Sequence, residues 1–119
     1  MNKKILVVDD DLAILEVIKL ILEEQGYKVI VTSDGGKVQQ KINEDFPDLI
    51  LLDFWLSGQD GRKIAKYLKT QETTRNIPIV MISANHEPEK IARDVDANDF
   101  LAKPFDIDDL VMIVKKYTE

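Results

Sequence analysis

The 119-residue chain has no cysteine and a single histidine, His86. Disulfides, thiolate nucleophiles and cysteine-built metal sites are therefore excluded, and a His-rich metal site or a Ser/His triad is poorly supplied. Apolar runs are short, too short to cross a bilayer or to form a signal-peptide core after Met1. Positive charge is also scarce. Sixteen Lys and Arg stand against 22 Asp and Glu, a formal charge of −6. So acidic a balance is unsuited to nonspecific nucleic-acid binding, which needs a basic surface. There is no internal repeat and no low-complexity segment. The expectation is a cytoplasmic protein with no direct contact to nucleic acid or membrane, folded as one domain over residues 1–119.

What the chain does have is five short apolar runs separated by helical patterns. Lys4 to Val8 reads as a first buried strand, Tyr27 to Val31 as a second, Asp48 to Asp53 as a third, Ile77 to Ile82 as a fourth and Asp99 to Ala102 as a fifth. The unbroken run Leu49-Ile50-Leu51-Leu52 means that both faces of the third strand are covered. Between the first two strands, Ile14, Val17, Ile18, Ile21 and Leu22 follow the i, i+3, i+4, i+7, i+8 stripe of a core-facing helix. Asp11 is placed as its N-cap and Gly26 as its left-handed C-terminal residue. A weaker helix runs through Val38 and Ile42, a third has Gly61, Ile64, Ala65 and Leu68 on one stripe, and a short one lies around Glu87 to Val95. A last helix opens with Asp106, Asp108 and Asp109, buries Leu110, Ile113, Val114 and Tyr117, and ends with Lys115 and Lys116, charges that suit its dipole. Strict β-α alternation demands a parallel sheet with right-handed crossovers. At this length it favours a single doubly wound five-stranded α/β sheet, order 2-1-3-4-5, of the flavodoxin-like kind.

In that order the first and third strands are neighbours, and their C-terminal residues, Asp9-Asp10 and Asp53, converge where open α/β sheets carry their sites. Three converging carboxylates cannot all stay charged and unpaired, because like charges raise one another's pKa. A hard divalent cation relieves the repulsion. Mg²⁺ fits best, since it takes one or two carboxylates and leaves positions for phosphate oxygens. Ser83 ends the fourth strand and Lys103 the fifth. A carboxylate, a magnesium site, a lysine and a hydroxyl together suit phosphoryl transfer onto an aspartate.

Five stretches taken in order now carry a resemblance: Ile5 to Asp11, Pro47 to Asp53, Asp60-Gly61, Ile79 to Ala84, and Ala97 to Phe105. At this spacing, and over the whole chain, the sequence resembles the receiver domain of two-component response regulators. The resemblance implies that Asp53 is the phosphoacceptor. It implies that Asp10 binds Mg²⁺ directly, that Asp9 acts mainly through a metal-bound water, and that the Trp55 backbone carbonyl is a third protein ligand. Ser83 and Lys103 would grip the phosphoryl oxygens, Phe100 would be the switch aromatic, and the Lys103-Pro104 bond would be cis. The implied partner is a sensor histidine kinase or a histidine phosphotransfer domain. The implied readout is the face formed by the fourth helix, fifth strand and fifth helix, where Val111 and Met112 lie off the buried stripe and homodimerisation is one expected use. Leu15 and Leu20 lie off the stripe of the first helix, where family members dock the phosphodonor. The protein is expected to be no enzyme beyond catalysing its own phosphorylation and dephosphorylation.

Three positions depart from the common pattern of the family. Ser57 replaces proline, which implies a more mobile loop. Asp96 replaces glycine before Ala97. Trp55 is unusually bulky, and the expectation is that its ring shields the phosphoryl group from water. Taken singly, each residue has a plainer reading: Ser83 as a helix cap, Lys103 as a solvated lysine, Phe100 as core, Trp55 as packing and His86 as a loop residue. Two other functions compete. One is a phosphorylation-independent protein-binding module on the same fold. The other, weaker because Ala13 stands at the third motif position, is a Mg²⁺-dependent phosphohydrolase using Asp9 and Asp11.

Overall fold

A computed structural model describes residues 2–84 and 97–119. Along the chain run β1 (Lys4–Val8), α1 (Leu12–Glu24), β2 (Lys28–Thr32), α2 (Val38–Glu44), β3 (Leu49–Asp53), β4 (Trp55–Leu56), β5 (Gln59–Asp60), α3 (Gly61–Thr70), β6 (Ile79–Ser83), β7 (Asp99–Ala102) and α4 (Ile107–Thr118). The five long strands pair in parallel in the order β2-β1-β3-β6-β7. With the short β4–β5 hairpin set aside, this is the expected 2-1-3-4-5 sheet. The helix expected around Glu87 to Val95, together with His86 and Asp96, lies outside the described residues.

Alternation along the strands builds a core on each side of the sheet. On one side, Ile5, Val7, Leu49, Leu51, Val80 and Ile82 pack under α1 and α4. On the other, Leu6, Val8, Ile50, Leu52, Ile79 and Met81 pack under α2 and α3. Continuous apolar runs are the sequence record of that double cover. Truncating one such residue, for example Leu51→Ala, costs about 2–5 kcal/mol through lost transfer energy and the cavity left behind.

Side-chain caps start three helices. Asp11 Oδ1 accepts from the amides of Ala13 and Ile14, Asp60 Oδ1 from that of Arg62, and Asp106 Oδ1 from that of Asp109. Gly26, at φ 96°, takes the left-handed position after α1 that its sequence context predicts. The Lys103-Pro104 peptide is cis, as expected.

One stripe differs from expectation. Leu15, Ile18 and Leu22 are the buried residues of α1, while Val17 is 53% exposed. Leu15 is therefore core and not a docking residue, and Val17 takes its place on the outer face. Leu20 is exposed as expected. In α4, Leu110 and Val114 are fully buried, Ile113 and Tyr117 pack at the core's margin, Val111 is half-buried and Met112 is exposed. Between Asp53 and Gly61 the chain forms a short hairpin. Trp55 pairs antiparallel with Asp60, and Leu56 with Gln59.

Candidate functional site

Strand register sets the site. Val8 pairs with Leu52, Asp53 with Ile82, and Ser83 with Ala102. Four strands therefore end level. Asp9 and Asp10 run on from β1 beside Asp53, and Lys103 runs on from β7 beyond Ser83. Each of Asp9, Asp10 and Asp53 offers a carboxylate oxygen, and these three atoms lie within 4.8 Å of one another. Asp9 is fully buried, Asp53 is 7% exposed, and Asp10 lies at the rim.

The Lys103 ammonium sits between two of the acids. Its Nζ donates to Asp9 Oδ2 at 3.0 Å and lies 3.3 Å from Asp53 Oδ1. Burial disfavours the Lys103 charge, but the hydrogen bond to Asp9 and the charge of Asp53 outweigh it and raise its pKa. The other Asp9 oxygen, Oδ1, accepts from the Asp11 amide at 2.9 Å. Asp53 is less well compensated. Burial first, and then the charge of Asp9, push its pKa up to about 6, against the opposing pull of Lys103. Its carboxylate is thus the poorly neutralised member of the group.

This donor set fits a magnesium ion. The oxygens are hard and come from three carboxylates, and the Lys103 ammonium meets two of them, Asp9 and Asp53. Asp9, Asp10 and Asp53 could together hold such an ion, Asp9 being also tied to Lys103. Trp55, whose carbonyl the family resemblance makes a third ligand, begins the hairpin two residues past Asp53. The Trp55 side chain is 54% exposed. Ser83 is buried at the end of β6, and its carbonyl accepts from the Lys103 amide at 2.9 Å. Phe100 stands apart from the acids on β7, half-buried, where it lines a surface groove with Met112, Ile113 and Lys116. Asp11 does not join the cluster. Its carboxylate caps α1 and is exposed, so the Asp9–Asp11 pair that a phosphohydrolase needs is not assembled.

One residue of the site has a contact that sequence reasoning missed. The Ser57 amide and hydroxyl both donate to Asp10 Oδ2, at 3.0 and 2.7 Å. The available signal was a hydroxyl where the family has proline, read only as a loosened loop. In place of that looseness stands a two-point attachment.

The parallel order and the acidic end of the sheet define a receiver-type fold. A sequence model of the response regulator receiver domain matches residues 5–115, and the chain belongs to that family, which serves two-component signalling. It is 38% identical over 117 residues to the phosphate regulon transcriptional regulatory protein PhoB of Escherichia coli, covering 97% of this chain and 51% of that protein. It is 34% identical over 119 residues to sporulation initiation phosphotransferase F of Bacillus subtilis, covering 98% of this chain and 94% of that one. Among solved structures it matches the receiver domain of a sensor histidine kinase from Pseudomonas aeruginosa, which has a magnesium ion coordinated in its active-site cleft. The TM-score is 0.87, with 29% identity and 98% of both chains covered. The chain spans about half the length of the PhoB relatives that it matches.

Proposed function

We propose that the chain is a phosphorylation-dependent switch that accepts a phosphoryl group on Asp53. The observation that carries this reading is the convergence of Asp9, Asp10 and Asp53 with Lys103 set between Asp9 and Asp53. The donor is a phosphohistidine on a sensor histidine kinase or a histidine phosphotransfer domain, in the cytoplasm. An Asp53 oxygen forms the new P–O bond as the P–N bond breaks and the imidazole leaves with the bonding pair. Magnesium, when bound, supplies positive charge to the phosphoryl oxygens and favours the ionised form of Asp53. Asp10, Asp53 and the Trp55 carbonyl would hold it, with Asp9 acting mainly through a metal-bound water.

Lys103 already touches Asp53 and is positioned to follow the new negative charge. The buried Ser83 hydroxyl lies one strand away and turns toward the phosphoryl oxygens. That movement favours an inward Phe100 and remodels the β7–α4 face. Phosphorylation adds roughly two charges and three strong acceptor oxygens, enough to bias such an element. The chain catalyses only its own phosphorylation and dephosphorylation.

The test is intact-mass measurement after incubation with acetyl phosphate and Mg²⁺. Wild type should gain one phosphoryl group and Asp53→Asn none. An adduct that survives Asp53→Asn would place the acceptor elsewhere. No adduct on wild type would favour a phosphorylation-independent binding module.

A further inference from the structure

The site is assembled from three separate pieces of chain. Asp10 comes from the end of β1 and Asp53 from the end of β3, while the Trp55 carbonyl proposed above as a ligand belongs to the β4–β5 hairpin. The first two are locked together by strand register, Val8 against Leu52. The hairpin is not part of that sheet. Its own pairing, Trp55 with Asp60 and Leu56 with Gln59, holds it closed, and buried Leu56 anchors its underside. Ser57 follows Leu56 at the outer end of the hairpin, and it reaches Asp10.

We propose that Ser57 is a positioning residue for the metal, a clasp that fixes the Asp10 carboxylate and the hairpin to each other. A carboxylate at the rim beside two others is driven outward by like charge, toward water. Two donors from one residue hold it at the cluster instead. They also link the Asp10 side chain to a segment two residues from the Trp55 carbonyl, so the spacing between two ligand groups is set before the ion arrives. The bonds do not exhaust the ligand. A carboxylate has about four lone-pair sites, and Ser57 uses sites on Oδ2 alone, leaving Oδ1 for coordination. Outer partners of this kind orient ligands and typically change metal affinity by about 10–100-fold when lost.

The inference rests on the magnesium site proposed above, and its test separates the two. Thermal unfolding is followed across a MgCl₂ titration for wild type, Ser57→Ala and Ser57→Thr. A bound ion stabilises the folded chain in proportion to its occupancy, so the midpoint of the Tm rise reports affinity without any turnover. Ser57→Ala should move that midpoint to roughly tenfold higher Mg²⁺. Ser57→Thr keeps the hydroxyl and should return it to near the wild-type value. A merely structural role would lower the metal-free Tm and leave the Mg²⁺ midpoint in place. Equal midpoints in wild type and Ser57→Ala would overturn the clasp, and so would tighter binding by Ser57→Ala, which would make Ser57 a competitor of the ion. Absence of any Mg²⁺ response in wild type would overturn the metal site itself, and the clasp with it.

Discussion

Asp53 is ionised at a cost that the fold carries. Its folded pKa of about 6 lies above the ordinary 3.8 because burial and the charge of Asp9 both oppose the carboxylate. The folded chain therefore keeps this proton where the unfolded chain has lost it. Stability attributable to Asp53 is full below about pH 4, falls as pH rises toward 6, and is absent above that. A shift of this size corresponds to about 3 kcal/mol at most. Asp53→Asn cannot ionise, so in metal-free protein its stability advantage over wild type should grow between about pH 4 and pH 6 and then level off. Thermal melts in chelator across that range measure it, and a constant difference would show that Asp53 is not the strained carboxylate. The acids and Lys103 were legible in the sequence because each follows an apolar run. The Ser57 clasp was not, because a hydroxyl in a short polar loop has no pattern until the hairpin folds it over Asp10.

At the scale of elements, α3 is fitted directly onto the backbone that carries Asp53. The Gly61 amide, at the start of the helix, donates to the Phe54 carbonyl at 2.8 Å. A Cβ at Gly61 would overlap the Asp53 carbonyl oxygen and lie 2.9 Å from that of Phe54. Backbone atoms have little freedom to give way, so Gly61→Ala must shift either the first turn of α3 or the peptide that carries Asp53. The expected cost is about 1–3 kcal/mol of stability, together with slower phosphorylation by acetyl phosphate. Unfolding curves and phosphorylation rates on the same sample check both, and an unimpaired rate would show that helix and acceptor are not coupled. The five long strands could be read in advance because burial on both faces leaves unbroken apolar runs. The β4–β5 hairpin could not, since strands of two residues show no periodicity. The phase of α1 was ambiguous for the opposite reason: apolar residues occupy nearly every side of Leu12 to Leu22, so periodicity admitted Val17 where packing chose Leu15.

At the scale of the whole molecule, the acids lie at the middle of the sheet and the expected output face lies at one end of it. The strand order runs from β3 through β6 to β7. Asp53 pairs with Ile82, and the next residue, Ser83, pairs with Ala102 on β7. A pull on Ser83 of the proposed kind would reach the end strand through one register pair, and Phe100 sits two residues back from Ala102 along that strand. Lys116 is tied to the same strand, donating to Asp99 Oδ2 at 2.9 Å, and Tyr117 donates to that oxygen at 2.8 Å. The groove between β7 and α4 combines apolar Phe100, Met112 and Ile113 with Asp99, Asp109 and Lys116. A patch with an apolar centre and charges of both signs suits pairing about a two-fold axis, where an acid of one copy meets a base of the other. With acetyl phosphate and Mg²⁺, light scattering should show wild type moving from monomer to dimer. Met112 is 69% exposed, so Met112→Glu should leave the fold and the Asp53 adduct intact. It should also hold the protein monomeric, because a second copy would bury the new charge unpaired. Wild type that stays monomeric when fully phosphorylated, or Met112→Glu that dimerises equally well, would mean that this face serves some other partner than a second copy of the chain.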